Sequence, residues 1–181
     1  MTRKLGSLFT SGAMLALLAM TGPGWAAETK TDAKKSRLPA AVIKAIDQNK
    51  PGAEIDKVDV EHEEGVAFYD MEFKGNQGEM DVLEDGTVLD VATLIEMKDL
   101  PEPVAAVIRK ASTGTTIKQL TKSEVRARIE KAGGKGKITR LATPEYIYEA
   151  ELAKGGEIEV AGDGRIIKGP KSMEKRATAE K

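Results

Sequence analysis

Residues 78–86 read Gly78-Glu79-Met80-Asp81-Val82-Leu83-Glu84-Asp85-Gly86, and residues 156–164 read Gly156-Glu157-Ile158-Glu159-Val160-Ala161-Gly162-Asp163-Gly164. Met80 and Val82 alternate with Glu79 and Asp81, as Ile158 and Val160 alternate with Glu157 and Glu159. A period of two marks a strand with one apolar and one wet face. Asp85-Gly86 and Asp163-Gly164 then signal tight hairpins, on the expectation that both central residues take positive φ. The preceding strands follow the same rule. Tyr69, Met71 and Phe73 alternate with Asp70 and Glu72; Tyr146, Tyr148, Ala150 and Leu152 alternate with Glu149 and Glu151. Residues 75–78 and 154–156 are the turns between, and 87–91 and 165–168 return as further strands.

Further upstream the recurrence continues. Leu38-Pro39-Ala40-Ala41-Val42 matches Leu100-Pro101-Glu102-Pro103-Val104 at an offset of 62, while the hairpin blocks match at 78. Each copy therefore opens with a short helix. Pro39 suits a first-turn position, Val42, Ile43 and Ile46 share one stripe, and Pro51-Gly52 ends the run. In the second copy Asp99 is the expected N-cap and Val104, Val107 and Ile108 the stripe, broken by Ser112, Thr113 and Gly114. The difference in offsets places about 16 extra residues in the second copy, near 121–138. Glu124 with Arg128 and Arg126 with Glu130 are helix-compatible charge pairs. Val125, Ala127 and Ile129 alternate instead as a strand, and an added hairpin is the preferred reading.

The ends are different in kind. Residues 1–26 form a secretory signal: Arg3 and Lys4, an apolar run centred on Leu15-Ala16-Leu17-Leu18-Ala19-Met20, a Gly-Pro break, and Gly24 and Ala26 at the cleavage site. The expected cut is Ala26/Ala27, which leaves an exported protein, periplasmic or secreted, with no membrane association after cleavage. Residues 27–36 read as a flexible leader and 170–181 as a frayed tail. The units between are 37–92 and 98–169.

Composition excludes much. The 181 residues include no Cys and one His, so disulfides, cysteine metal sites, cysteine nucleophiles and two-His metal motifs are all ruled out. A net charge of −1, or −3 without the signal, gives no footprint for nucleic acid. Losing Phe9 and Trp25 leaves Phe68, Tyr69, Phe73, Tyr146 and Tyr148, read as one set of core positions used twice.

The Leu-Pro helix, the Pro-Gly break, the Tyr-x-Met-x-Phe strand and the closing Asp-Gly hairpin resemble the PepSY-like family across 38–91, and across 100–168 with the interruption noted. The resemblance implies an α+β fold of two tandem units, each a short N-terminal helix packed on a small antiparallel β-meander. It also implies an exported binding or inhibitory module with a protein partner, a protease foremost. The family carries no catalytic motif, so no active-site residue is transferred.

Candidate chemistry is sparse. Asp59, Glu61, His62, Glu63 and Glu64 are the densest acidic group, and carboxylates with an imidazole can hold a divalent cation. A polar strand end is the simpler reading. Glu84-Asp85-Gly86 and Asp163-Gly164 offer too few oxygens for a calcium loop. Glu149 and Glu151 could serve acid–base chemistry, but their alternation reads as a solvated strand face. Ser36, Ser112, Ser123 and Ser172 fall in leader, turn, insertion and tail, without a nucleophile elbow. Gly133-Gly134-Lys135-Gly136-Lys137 lacks P-loop spacing and reads as a loop tip. No catalytic, cofactor or metal residue is therefore assigned. The expected function is a non-enzymatic exported binding module, with a small-ligand or divalent-cation sensor as the alternative.

Overall fold

The computed structural model describes residues 34–154 and 156–169. The signal segment and its cut, the first part of the leader, and the tail lie outside the described residues. The described residues include two short α-helices, α1 (Ala40–Asn49) and α2 (Glu102–Ala111), and eight strands: β1 (Ile55–Glu63), β2 (Val66–Phe73), β3 (Glu79–Leu83), β4 (Val88–Leu94), β5 (Ile117–Ala132), β6 (Lys135–Leu152), β7 (Gly156–Ala161) and β8 (Ile166–Lys168).

The expectation of two tandem helix-plus-meander units is overturned. All eight strands join in one antiparallel sheet, in chain order from β1 to β8. At the middle, β4 pairs with β5 over five positions, from Asp90↔Val125 to Leu94↔Thr121. Two separate meanders would leave the outer backbone groups of β4 and β5 unpaired; joining them removes both edges. Alternation within a strand carries no information about which strand lies beside it, so this junction was invisible in the sequence.

Register places both helices on one side. The row Met71↔Met80↔Val91↔Glu124 shares a face, and so do Lys122↔Tyr148↔Val160. Under α1, Val42, Ala45 and Ile46 pack on Ile55, Met71, Phe73, Met80 and Val82. Under α2, Val104, Ala105 and Ile108 pack on Leu120, Tyr148, Ala150, Leu152, Ile158 and Val160. Each fully buried aliphatic contributes about 1.5–3 kcal/mol. Met71, Met80, Ile46 and Ile108 are all at 0% exposure, so these contacts anchor the helices.

Both helix starts differ from expectation, since Pro39 stands just before the first turn rather than in it. Pro39 and Pro101 precede the first helical residues of α1 and α2. Asp99 does not cap α2; it ends a 3₁₀ turn, Met97–Asp99, where its carboxylate accepts the Glu96 N–H at 2.9 Å.

The Asp-Gly hairpins also form by another geometry. Gly86 and Gly164 have φ of 84° and 88°, but Asp85 and Asp163 do not have positive φ. Leu83 N–H donates to Thr87 and Gly86 N–H to Leu83, closing a three-residue loop with glycine at its left-handed position. The aspartates instead accept the N–H two residues on, Thr87 at 2.8 Å and Arg165 at 2.9 Å. Both turns tuck beneath a helix start: a Cβ on Gly86 would lie 2.8 Å from the Ala41 carbonyl, and one on Gly164 3.0 Å from Pro103.

Segment 121–138 is strand in both arms. It runs along β5 from the part paired with β4 to the turn at Gly133 and Gly134 and into the start of β6. The aromatics do not form one core set. Tyr148 and Phe73 are buried on the helix side; Phe68 is buried on the opposite side with Leu83, Leu89, Ala127 and Ile129; Tyr146 is 40% exposed beneath the Lys122 ammonium, 4.2 Å from its ring centre.

Candidate functional site, an acid-lined sheet face

The face away from the helices carries the unusual chemistry. Asp59, Asp70, Asp81 and Asp90 lie directly opposite one another on β1, β2, β3 and β4, so four aspartates cross four strands in one row. The adjoining row is Lys57↔Glu72↔Glu79↔Ala92. Beyond the β4–β5 junction the pattern resumes with Thr121↔Glu149↔Glu159↔Lys168 and Gln119↔Glu151↔Glu157. Like charges in direct cross-strand register oppose pairing. Here they are repeated across nearly the whole sheet.

Cations sit at the two margins. Lys57 Nζ lies 2.6 Å from Asp59 and 3.4 Å from Glu72, and its pKa is pushed up to about 12, chiefly by the hydrogen bond to Asp59. At the far side Lys168 pairs with Glu157 and lies 3.4 Å from Glu159 Oε1. Lys118 holds Glu151 at 2.8 Å.

The inner carboxyls are held differently. Glu79 is pushed up to about 7, first by burial and then by Asp70, Glu72 and Asp90. Asp70 rises to about 6 through burial, with Glu61 and Glu72 adding to it. Glu149 rises to about 7, again by burial first and then by Glu159, and it also feels Glu79 across the junction. Glu159, at 2% exposure, rises to about 7 through burial. Between Glu79 and Glu149 the junction presents Ala92, Thr121 and Ser123, with Ala92 and Ser123 almost fully buried. These side chains are short, so the two acidic groups act on each other over a low floor.

The other sequence candidates do not converge. Alternation along β1 sends Asp59, Glu61 and Glu63 to the acid face and His62 to the helix side with Val60. Among the described residues no three His, Asp or Glu groups gather as a metal-binding set. Ser112 Oγ donates to the Arg109 carbonyl at the end of α2, whereas Ser123 is buried in β5. Glu149, read as solvated, is in fact half-buried and raised; Glu151 is ion-paired. The row of aspartates was missed because each residue, taken in its own strand, is an ordinary polar position.

No family model matches the chain, and no curated protein does. Solved structures similar to it include a protein from Bacteroides eggerthii described as periplasmic (12% identity, 72% of this chain and 86% of that one, TM-score 0.48). A DUF2874 family protein from Bacteroides uniformis is 18% identical over 72% of this chain and 86% of its own, with a TM-score of 0.45. A BLIP-like protein from Bacteroides fragilis is 13% identical over 76% and 89%, with a TM-score of 0.43. Among the described residues no helix is long and apolar enough to cross a membrane.

Proposed function

We propose that the chain is an exported, non-enzymatic binding module that takes a basic polypeptide segment on the acid-lined sheet face. The row Asp59, Asp70, Asp81, Asp90 carries this reading. At the usual spacing between strands the four carboxyls extend over about 14 Å. That geometry suits a line of cationic side chains better than a single ion. An ammonium or guanidinium laid over Asp70, Glu79 and Glu149 would offset the burial and repulsion that raise their proton affinity. Export is supported by the signal pattern of residues 1–26, and the absence of enzymatic chemistry by one His and no Cys. A protease is the partner that the PepSY-like resemblance favours, with the module restraining it.

The test uses labelled decalysine, followed by fluorescence anisotropy at low and moderate salt. Binding is expected, and the combined variant Asp70→Asn, Glu79→Gln, Glu149→Gln should lose at least tenfold in affinity. A control that removes as much charge elsewhere (Asp56→Asn, Glu84→Gln, Glu102→Gln) should lose far less. Equal loss in both variants would reduce the effect to net charge and overturn the site. Heat on adding calcium, magnesium or zinc, without decalysine binding, would replace it by the cation-sensor reading. Assays against thermolysin-type proteases address the inhibitory role, which fails if their activity is untouched.

A further inference from the structure

The outer part of the β5–β6 hairpin is built differently from its base. Pairing runs in step to Val125↔Glu145 and resumes only at Ala127↔Arg140. Leu141, Ala142, Thr143 and Pro144 thus stand opposite the single residue Arg126. This is an interruption larger than an ordinary one-residue bulge. Beyond it the neighbours stop as well: β4 pairs with β5 only as far as Val125, and β7 pairs with β6 only from Ile147. Residues 127–140 are therefore a two-stranded ribbon of six paired positions, a kind of element that is marginal in isolation.

Its attachment to the rest of the sheet is correspondingly small. At the tip, Gly136 N–H donates to the Glu64 carbonyl at 2.9 Å, and Lys131 Nζ lies 3.6 Å from the Glu64 carboxylate. Gly136 is required there, since a Cβ would lie 2.6 Å from Val66 Cγ2. Near the hinge, Arg140 donates to Thr87 Oγ1 at 2.6 Å. Underneath, Ala127 and Ile129 pack on Phe68, Leu83 and Leu89. Phe68 and Leu83 are in register with Glu61, one step along the same face from the row Asp59, Asp70, Asp81.

We propose that residues 127–140 are a strap that releases from the sheet as a unit, hinged at Arg126 and residues 141–144. Release uncovers an apolar patch continuous with the aspartate row, and the surface so made fits a polypeptide segment with basic and apolar side chains. The occupant rests on the function proposed above; the opening does not, and it is measured without any partner.

Amide hydrogen exchange on the purified protein tests the opening. Amides of the ribbon should exchange at least 100-fold faster than those at Leu120 and Ala150 in the hairpin base, with little dependence on added urea. Gly136→Ala should speed the ribbon amides a further several-fold and leave those of α1 and α2 unchanged. Ribbon exchange that occurs only with global unfolding, or a Gly136→Ala effect spread evenly over the chain, would overturn the strap. Decalysine binding that strengthens several-fold in Gly136→Ala would support its role as a gate. Unchanged binding would overturn that role, and no binding to either protein, with fast ribbon exchange retained, would sink the acid-face reading alone.

Discussion

Replacing Glu79 by Gln removes one charge from the most crowded part of the acid face while keeping its shape. In the folded chain this carboxyl titrates at about 7, against an ordinary value of 4.5. Folding therefore raises its proton affinity. Between those two pH values the folded state holds more protons than the unfolded one, and stability falls as the pH rises. The cost is absent near pH 4 and complete above pH 7, where the two values correspond to about 3 kcal/mol. Lys50, which Glu79 supports, loses a counter-charge in the variant. That loss reduces the gain, to about 1–3 kcal/mol at pH 8. That is several degrees in Tm for a chain of this size. Urea denaturation of parent and variant at pH 4, 5, 6, 7 and 8 measures it directly. The gain should be near zero at pH 4, about a quarter of its full size at pH 5, and complete by pH 8. A variant that is less stable at pH 8, or stabilised equally at every pH, would refute the reasoning.

Three further expectations follow from other parts of the molecule. Lys168→Met strips the cation from Glu157 and Glu159, so it should cost about 1–3 kcal/mol at pH 8 and clearly less at pH 5, where Glu159 holds its proton; an equal loss at both pH values contradicts this. Gly86→Ala forces a side chain into φ of 84° against the Ala41 carbonyl and should lower stability by about 1–3 kcal/mol, read as a drop in Tm, with Gly164→Ala behaving alike. Ile46→Ala and Ile108→Ala lie in different cores, and each should cost about 2–5 kcal/mol. Because β4 and β5 share one ladder, both should shift a single calorimetric transition, and two separate transitions would show the junction does not couple the halves.

The elements were far more legible in the sequence than their assembly. Met80 with Val82 and Ile158 with Val160 announce their strands through period-two alternation, and the stripes Val42–Ile46 and Val104–Ile108 announce the helices. These are local signals, written within a dozen residues. The β4–β5 pairing is not local: Asp90 and Val125 are far apart along the chain, and neither residue type specifies the other. The candidate site suffered the same loss. Asp70 and Glu79 look like routine solvent-facing residues until register sets them among Asp59, Glu72, Asp81 and Asp90. His62 erred in the other direction, since its nearness to Glu61 and Glu63 in sequence means the opposite face in a strand. Phe68 shows the mechanism most simply: one step from Tyr69 places it across the sheet, under the ribbon.

The five pairings between β4 and β5 also decide something larger than cohesion. Side chains in a strand obey an odd–even rule, and the junction is where the odd–even count of one half is handed to the other. With Asp90 opposite Val125, the second half inherits the orientation of the first, so α1 and α2 share a side and the carboxyls share the reverse. A slip of one residue would invert β5 to β8, carrying α2 to the side of the aspartates and Glu149 and Glu159 to the side of α1. The molecule's two-sidedness, one greasy and one ionic, thus hangs on a parity set at a single seam.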